Sequence, residues 1–310
     1  MNISHSNKKP NFLIVGAQKS GSTTLYHLLK HHPDVFLPDF KEPLYFISDI
    51  IKKISEKDKG IKNEGIQDKL IHSEKEYLKL FKNVNNEKLI GEASASYLYY
   101  FKHTIPLIKD KLGDPRIIII LRNPVDKIFS QYKHLQREHA ENRSFEKGLE
   151  LEDERIAQNF TAMYHYKAQG LYYEQVKAYK DNFSNVLVVL TEELKSDPIS
   201  LAKKCYQFLE VDENFYPELK NYNVSSKRVK NPLIHKLLYN RTAHSFKMFY
   251  KKVFGNSFYE KSTSNYKKFN FENINLKMKE KTKFELKKYF RNDIEKLESF
   301  LNLELSNWKK

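Results

Sequence analysis

Lys19 sits between a glycine-bearing turn and a run of hydroxyls, in the stretch Gly16-Ala17-Gln18-Lys19-Ser20-Gly21-Ser22-Thr23-Thr24-Leu25. An apolar run, Phe12–Val15, precedes it, and a helical pattern, Ser22–His31, follows. Strand, glycine turn and helix start together make an anion site. Backbone N–H groups converge there, and the helix dipole adds about half a positive charge. Gln18, Lys19, Ser20, Gly21, Ser22, Thr23 and Thr24 are therefore the candidate anion-binding residues. The spacing Gly16…Gly21 fits the first half of a nucleoside-triphosphate loop, G-x-x-x-x-G-K-[ST], but Ser22 stands where that loop needs its lysine. With the lysine moved inside the turn, the loop suits a single phosphate rather than a metal-bridged triphosphate. The plain alternative is an ordinary glycine-bearing strand-to-helix turn. The lysine, the hydroxyl run and the preceding strand weigh against it.

A second constellation lies at Leu121-Arg122-Asn123-Pro124-Val125-Asp126. Asn123 can cap a helix whose first position suits Pro124. Arg122 then falls at the C-terminal edge of a strand, where open α/β sheets bind ligands. Ser130 lies two turns further on, so Arg122 and Ser130 can grip a second phosphate, one by a planar fork and one by a hydroxyl. The alternative is that Arg122 pairs with a carboxylate and Ser130 simply faces water.

These residues need a scaffold that brings strand ends together. Five segments read as buried strands: Phe12–Val15, Val35–Leu37, Leu89–Glu92, Arg116–Leu121 and Val186–Leu190. The last two are β-branched runs without alternation, as in central parallel strands covered on both faces. Helical patterns at Ser22–His31, Val125–Gln136 and Tyr172–Asn182 alternate with them. The fold class is thus α/β, a P-loop-like open parallel sheet flanked by helices with right-handed crossovers. Ser48–Ser73 is polar and lysine-rich and reads as a surface insertion or lid. After Asn223 the chain turns helical and basic, over Leu233–Phe254 and Leu276–Leu303. In the second of these Phe284, Leu286, Tyr289, Phe290, Ile294, Leu297 and Leu301 form an apolar stripe. The expectation is one domain over residues 1–310, an α/β core at 10–222 with a C-terminal helical part at 223–310 packed on it.

The bulk numbers agree with a large folded unit. The chain has 310 residues, 40% hydrophobic and 14% aromatic, which disfavours disorder. Its net charge of +15 attracts anions, although the lysines are interleaved with acids and also fit a solvated face. The lone Cys205 excludes an internal disulfide and falls on an apolar helical face, so packing is expected of it rather than reactivity. No signal-peptide pattern or long apolar span is visible, and the expected compartment is the cytoplasm.

The two constellations resemble those of sulfotransferases that use 3′-phosphoadenosine 5′-phosphosulfate, in particular bacterial and heparan-sulfate-type members. Gly16–Leu25 looks like their 5′-phosphosulfate loop, and Arg116–His134, with Arg-Asn-Pro and Ser130, looks like their 3′-phosphate site. Lys41-Glu42-Pro43-Leu44-Tyr45-Phe46, Gly91–Tyr97, Val186–Leu194 with Asp197-Pro198, and Asp293–Leu297 through Trp308 resemble further segments, so the likeness covers nearly the whole chain. One departure is Ala95, where such sequences often carry proline; another is Ser48–Ser73, which maps onto nothing.

The resemblance implies in-line transfer of a sulfuryl group to a hydroxyl or amine, leaving 3′-phosphoadenosine 5′-phosphate. It implies Glu42 as general base, with Leu44, Tyr45 and Phe46 able to desolvate it, and a structural ion pair of Glu42 with Lys41 or Arg122 as the alternative. Glu92 and His103 are the fallback bases. Lys19 is implied at the donor's bridging oxygen. A basic loop at Ser226–Lys230, with Lys227 and Arg228, is implied as a further contact to the 3′-phosphate. No metal is implied, and the adjacent His31 and His32 do not have ligand spacing. The acceptor is unspecified, with saccharides and small metabolites among the candidates. Two other classes compete. A kinase-like P-loop phosphotransferase would require Mg²⁺ and prefer ATP. A basic nucleic-acid-binding protein would exploit the +15 charge and 20 tyrosines, but no recognition signature supports it and no nucleic-acid partner is expected.

Overall fold

The structure, a computed structural model, describes residues 8–57, 70–217, 227–229, 271–273 and 276–310. The five expected strands are present as β1 (Phe12–Gly16), β2 (Val35–Phe36), β3 (Leu89–Ala93), β4 (Arg116–Leu121) and β5 (Val186–Leu190). They form one parallel sheet in the order β2-β3-β1-β4-β5. β1 sits at the centre, with Leu13 opposite Glu92 on one side and Ile117 on the other.

Both faces are covered, which is why β1 and β4 read as unbroken apolar runs. Leu13, Val15, Ile117, Ile119 and Leu121 point into one core, and Phe12, Ile14, Ile118 and Ile120 into the other. The second core is closed by α1 (Ser22–Lys30) and by the later helix Pro198–Leu209, where Cys205 is fully buried and its thiol is pushed up to about 12 by desolvation. Cys205 is thus packing, as expected.

The expected surface insertion at Ser48–Ser73 begins instead as a helix of the fold, α2 (Ser48–Lys57), with Ser48 and Ile54 buried. Its far end supplies buried Ile71, and Ser73 forms a reciprocal capping box with Glu76 at the start of α3 (Glu74–Lys79). Residues 58–69 lie outside the described residues. The other helices are α4 (Phe101–Leu112), α5 (Pro124–Arg137), α6 (Phe145–Glu150), α7 (Glu152–Ala157), α8 (Tyr166–Gly170), α9 (Tyr173–Asn182), α10 (Thr191–Ser196) and α11 (Pro198–Leu209). α5 starts as its sequence dictates, with Asn123 Oδ1 accepting the N–H of Val125 at 3.0 Å and Pro124 in the first turn.

The C-terminal part contributes a two-stranded antiparallel ladder, β6 (Lys227–Val229) with β7 (Phe271–Asn273), then α12 (Glu280–Leu301) and α13 (Ser306–Lys309). The basic loop expected at Ser226–Lys230 is therefore a strand over Lys227–Val229, and its backbone lies against α5. Ser226, Lys230 and the expected helix Leu233–Phe254 lie outside the described residues, as do the side chains of Lys227 and Arg228. α12 buries Leu286, Phe290, Ile294 and Leu297 against the first core. Phe284 and Tyr289, counted in its apolar stripe from sequence, are 71% and 48% exposed, because the stripe is narrower than the list of apolar residues. Among the described residues no helix is long and apolar enough to cross a membrane.

Asp293 on α12 docks the C-terminal helix onto the start of α9. Its carboxylate accepts the N–H of Tyr172 at 2.7 Å and that of Tyr173 at 3.3 Å, groups for which α9 has no side-chain cap of its own. Replacing Asp293 with alanine should destabilise the fold by about 1–3 kcal/mol, since the amides are left buried without an acceptor. Asp293→Asn, which keeps one oxygen, should cost less. Chemical denaturation reads both. An unchanged midpoint in the alanine variant would show that water reaches these amides.

Candidate functional site

Because all five strands run the same way, their C-terminal ends deliver five loops to one edge, the edge where such sheets bind ligands. The loop after β1, residues 17–21, is the centre. Lys19 and Gly21 both have positive φ, 63° and 98°. Gly21 is required there, since a side chain would be strained at that φ and would meet Leu194 Cδ2 at 2.8 Å. Gly16 is required by a different constraint, the close packing of Leu98, whose Cβ lies 2.4 Å from where a Gly16 Cβ would be.

The loop is tied down by its carbonyls. Arg122 Nη1 donates to the Lys19 carbonyl at 3.2 Å. The Thr191 hydroxyl, directly after β5, lies 2.6 and 2.9 Å from the carbonyls of Ser20 and Leu121 and shares its one hydrogen between them. No side chain caps α1. With the carbonyls engaged from behind and the helix start uncapped, the first-turn amides of Ser22, Thr23 and Thr24 remain as donors. Ser22 is buried, Thr24 half-buried and Thr23 exposed. Arg122 bonds a carbonyl rather than the carboxylate that sequence left open as its partner. Arg122 Nε and Ser20 Oγ are buried without a hydrogen-bond partner. Tyr172 lies beside both, and its hydroxyl is likewise out of bonding geometry.

Positive charge crowds this loop. Burial, then Arg137, Arg122 and Lys133, lower Lys19 to about 8, only partly opposed by Glu138. His134, on α5, is lowered to about 4 by burial and then by Lys19 and Arg137, so it is neutral and accepts from Arg137 Nη2 at 2.5 Å. Lys133, His134 and Arg137 were not singled out from sequence. Their signal was present as a basic C-terminal end on the helix after Arg122 (Lys133, His134, Arg137), but only the fold brings that end back toward Lys19. Ser130 is half-buried on the same helix, against whose length the strand carrying Lys227 and Arg228 is laid.

Glu42, after β2, reaches the turn that follows β3. Its N–H donates to the Ala93 carbonyl at 3.0 Å, and its Oε2 accepts the N–H of Ala95 at 2.9 Å. Its Oε1 pairs with Lys41 at 2.6 Å, so the ion pair weighed from sequence is formed, with Lys41 and not Arg122. Ala95 matters here, because a proline in its place would have no N–H to give. Glu92 is sealed in the core at 1% exposure, taking hydrogen bonds from Tyr77 and Tyr97 at 2.8 and 3.3 Å; desolvation pushes its carboxyl up to about 7. His103 lies on α4 and bonds Asp49 of α2 at 3.1 Å. Among the described residues no group of three His, Cys, Asp or Glu side chains could hold a metal ion.

Comparison with known proteins bears on this site. The sequence model of the Sulfotransferase family matches residues 10–215. A crystal structure of a sulfotransferase from Alicyclobacillus acidocaldarius superposes with a TM-score of 0.75 at 32% identity, covering 98% of this chain and 100% of that one. A membrane-associated sulfotransferase, kil1, of Dictyostelium discoideum is 32% identical over 123 residues, 40% of this chain and 22% of its own length. Human carbohydrate sulfotransferase 15 is 26% identical over 157 residues, 40% of this chain and 27% of its own. The chain thus spans about a quarter of the length of these two curated relatives.

The lowered Lys19 gives the site a definite pH dependence. The amine is charged below about pH 8 and neutral above it. An anion in the loop favours the charged form and takes up a proton when it binds above that value. The affinity of any anion held at this loop, with adenosine 3′,5′-bisphosphate as the probe, should therefore be level up to about pH 8 and then fall by at most tenfold per pH unit. The same depression makes the cost of burying and crowding the charged amine fully present below pH 8 and relieved as pH rises toward 10.5, up to which the unfolded lysine still holds its proton. Calorimetric titrations from pH 7 to 10 measure the slope. A constant affinity across that range would remove Lys19 from the binding site.

Proposed function

The chain belongs to the sulfotransferase family, and on that premise we propose that it moves a sulfuryl group from 3′-phosphoadenosine 5′-phosphosulfate to a hydroxyl or amine of an acceptor. The observation that carries this reading is the crowding of Lys19, Arg122, Lys133 and Arg137 around an uncapped helix start. Like charges are held together at a cost, and a polyanionic ligand converts that cost into attraction. The orphaned Ser20 hydroxyl and Arg122 Nε are polar groups that such a ligand suits.

In this reading Gln18, Lys19, Ser20, Gly21, Ser22, Thr23 and Thr24 hold the 5′-phosphosulfate, and Arg122, Ser130, Lys227 and Arg228 hold the 3′-phosphate. The acceptor oxygen gives its proton to Glu42 and forms the new S–O bond. The bond from sulfur to the bridging oxygen breaks, and its electron pair stays on that oxygen, where Lys19 meets the growing charge. No metal is assigned a part.

A saccharide is the acceptor class we favour. The human relative's name carries it, and the end of α5 opens onto a cleft of about 340 Å³ lined by His139, Asn142, Arg143, Glu154, Gln158 and Phe160. An aromatic ring beside charged hydrogen-bonding groups suits a polyhydroxylated ligand. The lone, buried Cys205 fits a reducing cytoplasm.

Thermal-shift titration tests the donor assignment. Adenosine 3′,5′-bisphosphate at a hundredfold excess over its Kd should add roughly 2.7 kcal/mol of stability, and ATP with Mg²⁺ less. Arg122→Ala should weaken adenosine 5′-phosphate through the lost brace on the Lys19 carbonyl, and the bisphosphate by more than that; equal losses would refute the 3′-phosphate assignment. A preference for ATP with Mg²⁺ would favour a phosphotransferase.

Glu42→Gln separates base from brace. It should leave bisphosphate affinity intact and lower the saturated rate of ³⁵S transfer to a saccharide panel by about 10²–10⁴. A full saturated rate in this variant would hand the role to another residue.

A further inference from the structure

From the half-buried Gln18 of the β1–α1 loop a line of polar side chains runs back into the core, and beyond Gln18 its members have no part in the transfer chemistry. Lys127, on α5, is 0% exposed, yet among the described residues it has no carboxylate in ion-pair range. Its Nζ donates instead to two amide oxygens, Gln131 Oε1 and Gln169 Oε1, each at 2.6 Å. The amide nitrogens of both glutamines are pinned by groups that can only accept. Gln131 Nε2 donates to the Met163 carbonyl at 2.9 Å, and Gln169 Nε2 to the Ala162 carbonyl at 2.5 Å.

Gln169 Nε2 has a second hydrogen, and it goes to Gln18 Oε1 at 3.2 Å. Gln18 Nε2 then donates to Ser96 Oγ at 2.7 Å. Every link in the line therefore has its direction fixed. Backbone carbonyls and the Lys127 amine set the Gln169 amide, Gln169 sets the Gln18 amide, and Gln18 uses an acceptor position of Ser96. The polarity survives whether Lys127 is charged or neutral, since both forms have two hydrogens to give.

We propose that Gln169, backed by Lys127, is a positioning residue that holds Gln18 and with it the β1–α1 loop in register with the turn after β3. The inference rests on that loop being the site of the donor's 5′ end. Gln18 bridges three segments that are distant in sequence, at residues 18, 96 and 169, so its amide sets where the loop backbone lies between them. Amides aimed at an anion must be held to a fraction of an ångström to be effective.

Gln169→Glu is the discriminating variant. It keeps the size and the acceptor facing Lys127 but removes the hydrogens given to Gln18 and to the Ala162 carbonyl. Affinity for adenosine 5′-phosphate and for adenosine 3′,5′-bisphosphate should fall roughly tenfold or more, the range expected when a buried partner is lost. Affinity for adenosine 3′-phosphate should stay at the wild-type value. Amide hydrogen exchange in the Ala17–Gly21 segment should accelerate without any ligand, so the variant is informative by itself. In a double-mutant cycle, Gln18→Met with Gln169→Met should lose no more than the worse single change.

Equal losses for all three nucleotides would mean general loosening and would overturn the proposal, as would unchanged exchange or additive losses. If the wild type binds none of the nucleotides while exchange responds as expected, the donor reading fails and the positioning role stands.

Discussion

Like charges held close together at a single sheet edge are the constraint on which the rest of the structure depends. Burial first, and then repulsion from Arg137, Arg122 and Lys133, drag Lys19 to about 8, with Glu138 opposing them only in part. Such an arrangement persists only where the surrounding structure overrides it. Here the override is geometric. The loop's carbonyls are taken by Arg122 and Thr191, and the helix carrying Lys133 and Arg137 is fixed by Asn123 and Pro124 at its start and by a buried face along its length.

Support also comes from far away in sequence. Tyr172 stands behind Ser20, and Tyr172 is itself held by Asp293 through its amide and packed against Trp308, whose indole nitrogen donates to Glu192 at 3.2 Å. The final helices are thus part of the site's foundation. On the other flank, Glu141 and Arg155 form a buried pair with two hydrogen bonds at 2.6 and 3.1 Å, and Arg155 lies over the Tyr164 ring. A buried pair of this kind adds little net stability but fixes one arrangement, because breaking it leaves a charge uncompensated. Glu141 also accepts from the Tyr166 hydroxyl at 3.3 Å, at the start of the helix from which Gln169 reaches the loop.

The fold class, the five strands, the glycine-bearing turn after β1 and the place of Arg122 at the end of a central strand were all legible in the sequence, because each is written in local pattern. A β-branched run, a glycine needing positive φ and a cap followed by proline act over a few residues and leave a local mark. The helix at Ser48–Lys57 was not legible as part of the fold, since its polar, lysine-rich composition hides how few apolar contacts it needs. Phe284 and Tyr289 misled in the opposite direction, since an apolar type does not say which side of a helix stripe it falls on.

What only the tertiary structure decided is which distant residues meet. Glu42 and Ala95, Lys127 and Gln169, Tyr172 and Asp293 are joined by single hydrogen bonds across long stretches of chain, and no periodicity announces such a bond. Glutamine is the clearest case. Gln131 and Gln169 look like solvated polar residues in sequence, Gln18 reads there only as an anion contact, and a lysine four residues before Gln131 looks like a surface charge. Burial alone turns them into a directed line, because away from water each donor must find an acceptor within the protein.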